Sequence, residues 1–299
     1  MPGAGEVLVA NEFSGINAAD ILQRRGLYPS PPGWPPDVPG MELAGRVVRV
    51  GPGVAHDLLG SRVCAIVGGG AQATRSLVPA AHLIRVPDNV SLQEAGGFAE
   101  SFITAYDALV RQGQLRRGER LLISGASGGV GSAAVQIGRL WRAHVTAVTR
   151  AGAHAQSLRA LGADEVISIP DVATVAPVDV VLELVGAAHL SLALDRLAEF
   201  ARVVVIGVGG GGGRVELNLL NVMRARATLT GSTLRSRSHD EKAAVIAEAT
   251  SALAGPWARG DVRVPIAATF ALADVQEAYA YFSAPGKLGK VILEMPNDE

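Results

Sequence analysis

The chain is poor in cysteine, in charge and in long apolar runs, and each shortage excludes something. One cysteine, Cys64, among 299 residues cannot form an internal disulfide, which suits a reducing cytoplasm rather than a disulfide-stapled secreted scaffold. Charged residues make up 18%, below the usual quarter. Lys and Arg nearly balance Asp and Glu, for a net charge of −1. That leaves no basic footprint for nucleic acid or an anionic membrane surface. The start, Met1-Pro-Gly-Ala-Gly-Glu6, has neither the basic residues nor the apolar run of a signal peptide. Leu121 to Gly138 carries no charge and has the length of a membrane span. Its glycines, its serines and Gln136 argue against that reading. With 48% hydrophobic residues, no strict glycine repeat and no heptads, the chain is also neither disordered, collagenous nor a coiled coil.

What the chain does have is glycine, 36 residues or about 12%, against a usual ~7%. Its length fits two domains. The first hundred residues show short β-branched runs at 6–10, 43–50, 62–67 and 83–86, separated by Gly and Pro. Six prolines and Trp34 crowd the segment from Tyr28 to Gly40, which forbids helix and central strand there. From Ser91, the cap, with Glu94 three residues on, a helix is expected to Leu109.

Apolar runs then alternate with helical patterns. Strands are expected at 120–124, 144–149, 165–169, 179–184 and 202–208, with helices at 132–142, 156–161 and 190–199. This alternation predicts a parallel sheet covered on both faces. A strand at 227–231 and a helix at 239–253 follow. The tail, with a strand at 264–270, a helix at 272–282 and a strand at 289–295, returns to the first texture. The fold class expected is α/β: a doubly wound Rossmann domain over residues 101–261, inserted in a mainly-β domain made of 1–100 and 262–299.

The segment that carries chemistry is Leu121-Leu-Ile-Ser124-Gly125-Ala-Ser127-Gly128-Gly129-Val130-Gly131. A buried strand enters a glycine turn that opens a helix, so a pyrophosphate can approach the backbone and the positive helix start. Its spacing departs from the commonest G-x-G-x-x-G. The same letters read as G-x-S-x-G, a hydrolase elbow with Ser127 as nucleophile and Asp195 and His239 following in chain order. The short-chain dehydrogenase alternative needs Tyr-x-x-x-Lys, but the four tyrosines are followed at that spacing by Pro32, Val110, Ser283 and Pro285. About 20 residues on, where a nucleotide binder reads the ribose, stands Thr149-Arg150, with no acid between Val145 and Gln156. A carboxylate there would suit NAD; a basic residue, with His154 beside it, suits the 2′-phosphate of NADP. The glycine run Gly207–Gly213 then leaves the fifth strand, where backbone turns freely or passes a ligand.

In these motifs the chain resembles the medium-chain dehydrogenase/reductase superfamily, in its zinc-free quinone oxidoreductase branch. The resemblance is carried by Ser14-Gly-Ile-Asn17-Ala-Ala-Asp20, Pro39-Gly-Met-Glu42-Leu-Ala-Gly45, Thr104-Ala-Tyr-Asp-Ala-Leu109, the turn Ser124–Gly131, Leu161-Gly-Ala-Asp164, Ser232-Thr-Leu-Arg-Ser-Arg237 and Gly289-Lys-Val-Ile-Leu293. It implies a GroES-like catalytic domain in two pieces around the Rossmann domain, with the site in the cleft between them. Zinc-dependent relatives need a Cys/His set and usually a four-cysteine lobe. One cysteine cannot supply it, and Gly40-Met41-Glu42 stands where those relatives have Gly-His-Glu.

The activity implied is hydride transfer from NADPH to a quinone. Reduction of an α,β-unsaturated carbonyl is the alternative, and a non-enzymatic, crystallin-like or sensor NADPH binder is a reading of another class. The resemblance places Asn17, Asp20 and Tyr28 at the catalytic site, Asn17 to orient a carbonyl or ribose hydroxyl and Tyr28 to donate to an oxyanion. It places Thr104, Ser232, Leu234 and Lys290 near the nicotinamide or ribose, and Gly186 and Val208 beside the cofactor. It implies a homodimer through strand 227–231; from the residues themselves no metal is expected, and from the single cysteine a cytoplasmic location. Two departures stand out. Gln72 replaces an aromatic wall, which shifts preference away from large aromatic quinones. Relatives also carry about 25 further residues, of the order of a hairpin, ahead of the segment matching Gly5–Val9, so initial strands are expected to be missing.

Overall fold

A computed structural model describes residues 1–209 and 212–296. The chain divides into two compact units, Met1–Ile103 with Leu234–Glu299, and Thr104–Thr233. In order, the first unit opens with β1 (Glu6–Ile16), α1 (Ala18–Arg24), β2 (Glu42–Val50), β3 (Arg62–Ile66), β4 (Arg75–Pro79), β5 (Leu83–Arg85), α2 (Leu92–Ala95) and the start of α3 (Ala99–Tyr106). The second unit holds β6 (Arg120–Ile123), α4 (Gly129–Leu140), β7 (His144–Thr149), α5 (Ala155–Leu161), β8 (Glu165–Ser168), β9 (Val178–Glu183), α6 (Ala187–Leu194), β10 (Leu197–Val205), α7 (Leu219–Ala225) and β11 (Thr228–Gly231). The first unit closes with α8 (His239–Arg259), β12 (Ile266–Ala271), α9 (Val275–Ser283) and β13 (Lys290–Glu294).

The first unit is built on a sheet of order β12-β13-β1-β2-β3-β5. One edge of β1 is shared: its first half pairs with β4 and its second half with β13. Alternation drives the burial. Val7 and Val9 point inward with Leu43, Val47, Val63, Ala65 and Val78 to form one core. Ile16, Val291 and Leu293 join Ala278 and Tyr279 of α9 in another. The stretch from Arg25 to Met41 forms neither helix nor strand, as its prolines require.

The second unit is a six-stranded, all-parallel sheet of order β11-β10-β9-β6-β7-β8. Its strands are apolar because helices cover them: Leu122, Val148, Val181 and Val203 pack with Leu190 and Leu194 of α6. From β6 the chain winds outward through β7 to β8, then returns to start β9 on the other side. The winding direction therefore reverses between β6 and β9, where open α/β sheets hold their ligands.

Several boundaries differ from the sequence-based expectation. The second crossing between units comes after Thr233 rather than at 261. The cause is α8, whose Trp257 lies flat on Phe98 at 3.7 Å between ring centroids and donates from Nε1 to Glu94 Oε1 at 3.2 Å. That helix also runs on to Arg259 through Pro256. The expected helix 91–109 is interrupted at Gly96-Gly97, although Ser91 does cap it, its Oγ accepting from Glu94 N. The expected helix 190–199 starts and stops earlier, because Leu197 already pairs with Val178 and Phe200 takes a left-handed conformation. Strand β10 ends at Val205, and β4 and α1 were not anticipated. The uncharged stretch 121–138 is split between β6 and α4. Among the described residues no helix is long and apolar enough to cross a membrane. Gly210 and Gly211 of the glycine run lie outside the described residues.

Candidate cofactor and active site

The glycine turn joins β6 to α4. Gly125 adopts a left-handed conformation (φ +62°) and Gly128 caps α4 in an extended one. Ala126 N donates to Val148 O at 3.1 Å, which ties the turn to β7, and Gly128 N donates to Gly125 O at 3.0 Å. Gly131 is required by close approach: a Cβ there would lie 2.4 Å from Gly125 O and 2.7 Å from Ala126 Cα. Gly128 and Gly129 thus present backbone free of side chains at the start of a twelve-residue helix whose first turn Val130 and Gly131 complete, a cradle suited to a pyrophosphate. At the end of β7, Thr149 is buried, with its Oγ1 donating to Ala153 O at 3.2 Å, and Arg150 is exposed. His154 sits left-handed at the start of α5, its Nε2 buried without a partner among the described residues.

At the end of β9 stands a residue that the sequence did not single out. Glu183 has no solvent exposure. Its Oε1 accepts from Ser124 Oγ at 2.8 Å, Val185 N at 2.6 Å and Gly186 N at 2.7 Å. Gly186, at φ +130°, takes a corner that only glycine adopts freely. Burial lowers the pKa of His189, on the first turn of α6, and Glu183 opposes that shift. Val208 is 49% exposed. Ser232 Oγ donates to Asp107 Oδ2 at 2.9 Å, and Thr104 is buried in α3.

The other expected residues fall in the first unit. Lys290 opens β13 and is 2% exposed. Its ammonium donates to Glu42 Oε1 at 2.5 Å, Asn17 Oδ1 at 2.6 Å and Ile16 O at 3.0 Å. Asn17 Nδ2 donates in turn to Glu42 Oε1 at 3.0 Å, and Glu100 N to Glu42 Oε2 at 2.9 Å. Lys290 and Asn17 are therefore members of one buried network. Asp20 is fully buried, its oxygens accepting from Asn17 N at 2.8 Å and Gly40 N at 3.1 Å. Burial raises its pKa to about 6, against the opposing pull of those donors and of Lys290.

Tyr28 is half-buried under Arg235, whose guanidinium carbon lies 4.9 Å from the ring centroid. Burial raises the Tyr28 pKa, so its hydroxyl stays protonated. Arg235, next to buried Leu234, donates to Gly68 O, Tyr28 O, Gln23 Oε1 and Ser30 Oγ. It clamps the proline-rich segment to the Gly68 loop. Gln72 Oε1 accepts from the Tyr279 hydroxyl at 2.8 Å, which fixes the side chain that stands in the expected aromatic position. The roles of Glu42, Arg235 and Glu183 were missed; for Glu42 and Glu183 the available signal was an acid opening or closing an apolar strand.

A zinc ion would need three or four nitrogen, sulfur or carboxylate donors at one place. Among the described residues no three His, Cys, Asp or Glu side chains gather as ligands. Cys64 is fully buried within β3 and burial pushes its thiol pKa up, away from the thiolate that a metal needs. Glu42 is taken by Lys290. The hydrolase reading also loses its partners: Asp195 accepts from Asn221 Nδ2 at 2.6 Å, and the His239 ring stacks between those of Trp34 and His82.

Comparison with known proteins agrees with this geometry. The model of the alcohol dehydrogenase GroES-like domain matches residues 3–111, and that of zinc-binding dehydrogenases matches residues 129–251. Prostaglandin reductase-3 of Mus musculus is 31% identical over 321 residues, spanning 99% of this chain and 83% of that protein. Polyketide synthase GfsB of Streptomyces halstedii is 38% identical over 208 residues, which is 68% of this chain and 4% of the synthase. The quinone oxidoreductase of Thermus thermophilus, whose structures include a complex with NADPH, superposes with a TM-score of 0.82 at 32% identity, covering 98% of this chain and 93% of that one. A GroES-like unit combined with a Rossmann-type parallel sheet defines an oxidoreductase of the kind that binds a nicotinamide cofactor. The chain belongs to the medium-chain dehydrogenase/reductase superfamily.

Proposed function

We propose that this chain is an NADPH-dependent, zinc-independent reductase that delivers a hydride to a quinone. The observation that carries this reading is the Gly125–Gly131 cradle combined with exposed Arg150, and no acid, at the end of β7. Backbone N–H groups at the start of α4 bind the pyrophosphate, and Arg150, with Thr149 and His154, binds the 2′-phosphate. We assign Thr104, Gly186, Val208, Ser232, Leu234 and Lys290 to the surroundings of the nicotinamide and its ribose. When bound, NADPH supplies a hydride from its nicotinamide ring. Tyr28 Oη, kept protonated by burial, donates to the acceptor oxygen as negative charge develops there, and water restores the proton. Asn17, Asp20 and Lys290 hold the catalytic wall of their own unit rigid through their buried hydrogen bonds. Cys64, a free buried thiol, suits a reducing cytoplasm.

Reduction of an α,β-unsaturated carbonyl is the second reading. It is favoured by Gln72, fixed by Tyr279, in place of an aromatic wall for a large quinone, and by the likeness to a prostaglandin reductase. A homodimer is supported by β11 at the sheet edge and by exposed Leu219, Leu220 and Met223 on neighbouring α7. A monomer by light scattering at micromolar concentration would refute it. The deciding experiment is titration with NADPH and NADH, followed by steady-state rates on a small quinone and a panel of enals. NADPH should bind more tightly than NADH, and Arg150→Ala should erase most of the difference. Equal affinities in the wild type would overturn the cofactor assignment, and binding without turnover on any acceptor would favour a non-enzymatic binder.

A further inference from the structure

The strand ends flanking the gap between β6 and β9 are joined by one carboxylate. Dinucleotides lie beyond the carboxyl ends of two such strands, where the winding reverses. Glu183, the last residue of β9, reaches Ser124 Oγ at the end of β6, at 2.8 Å. Ser124 Oγ in turn accepts from Leu184 N at 2.7 Å, while Glu183 Oε1 gathers Val185 N and Gly186 N. This closed ring of bonds fixes the corner 184–186 against the glycine turn, so near that a Cβ on Gly125 would stand 3.1 Å from Val185 Cγ2. The other oxygen, Oε2, is buried without a hydrogen-bond partner among the described residues. A carboxyl oxygen left without a partner in the interior is a poor device for stability alone.

We propose that Glu183 is a positioning residue for the nicotinamide half of the cofactor. It holds the 184–186 corner in place without touching the ligand, while the Gly125 turn keeps its own tether through Ala126 N and Val148 O. The inference rests on the dinucleotide-binding reading. Strand β7, with Thr149 and Arg150, lies on the opposite side of β6 from β9. The 2′-phosphate end is therefore read away from Glu183, and the shelf it braces serves the other end.

The test uses the full chain and two probes, NADPH and adenosine 2′,5′-bisphosphate, titrated calorimetrically against wild type, Glu183→Gln, Ser124→Ala and the double variant. Each single variant should bind NADPH about tenfold more weakly and the bisphosphate with unchanged affinity. The double variant should lose less than the two single losses added together, because the two residues share the Ser124–Glu183 bond. Parallel loss of both probes, as general loosening gives, or undiminished NADPH affinity overturns the proposal. If Glu183→Gln does not fold, Ser124→Ala carries the same comparison. A wild-type chain that binds neither probe overturns the dinucleotide reading itself, and the proposal with it.

Discussion

Replacing Lys290 by methionine should cost far more than the loss of one surface charge. The ammonium has three acceptors, Glu42 Oε1, Asn17 Oδ1 and Ile16 O, and both members of the ion pair are sealed, at 3% and 0% side-chain exposure. Methionine fills a similar volume but leaves the Glu42 carboxylate, among the described residues, with Asn17 Nδ2 and Glu100 N as donors. Breaking a buried pair from one side costs about 3–5 kcal/mol. At roughly 2–4 °C per kcal/mol for a body of this size, the first unit should melt on the order of 10 °C lower. Fluorescence of Trp257, buried in that unit, follows the transition, and urea titration gives the free energy. The double variant Lys290→Met/Glu42→Gln removes the stranded charge and should recover most of the loss, since an ion pair replaced on both sides is close to neutral. The exposed pair Arg46–Glu12 at 3.3 Å is the control, and Glu12→Gln should cost under about 1 kcal/mol. A Lys290→Met protein within about 1 kcal/mol of wild type, or a double variant no better than the single, would refute the reasoning.

Asp20 predicts a pH dependence of stability. Its pKa is about 6 in the folded chain against 3.8 as the ordinary value, so the native state holds the proton more tightly. Its contribution to stability grows as pH falls from about 6 towards 3.8, by up to about 3 kcal/mol, and is lost as pH rises through 6. The difference between wild type and Asp20→Asn in urea should change over that window; parallel curves from pH 7 to 4 would contradict it. Tyr28→Phe should lower kcat/KM by about 10²-fold with NADPH affinity unchanged, and an unaltered kcat/KM removes Tyr28 from the chemistry. Gly131→Ala must displace backbone 2.4 Å from the new Cβ. Overpacking of this kind costs about 1–3 kcal/mol, so NADPH titration should show at least about tenfold weaker binding. Wild-type affinity would mean that the turn is not the cradle.

The glycine turn, the parallel sheet and the Thr149-Arg150 position were legible because each is written within a few consecutive residues. Gly125 and Gly131 are set by local steric demand, and the apolar runs of β6, β7 and β9 by burial on both faces. The ion pair was not legible. Glu42 and Lys290 lie far apart along the chain, and a charge looks the same in sequence whether it ends buried or solvated. Arg235 was visible only as part of a motif, because its partners Gly68, Tyr28, Gln23 and Ser30 come from three separate stretches. The helix expected at 190–199 was carried past its end at Leu194 because Leu197–Val205 is apolar enough for either period, and pairing with β9 decided it. Strand β4 escaped notice because Arg75, Leu77 and Pro79 alternate with Ser76 and Val78, and only the latter pair is buried in the sheet.

The position of β13 between β12 and β1 has a consequence for how the chain folds as it is made. The second unit is one continuous stretch, Thr104–Thr233, and it can close as soon as it leaves the ribosome, which adds about 5–20 residues per second. The first unit cannot. Until β13 is synthesised, β1 offers the bare backbone of Phe13–Ile16, an edge open to wrong strands, and contacts of such long sequence separation form slowly. The need for chaperone protection during synthesis therefore falls on the mainly-β half, and Glu42 waits for its counter-charge until the strand that carries Lys290 arrives.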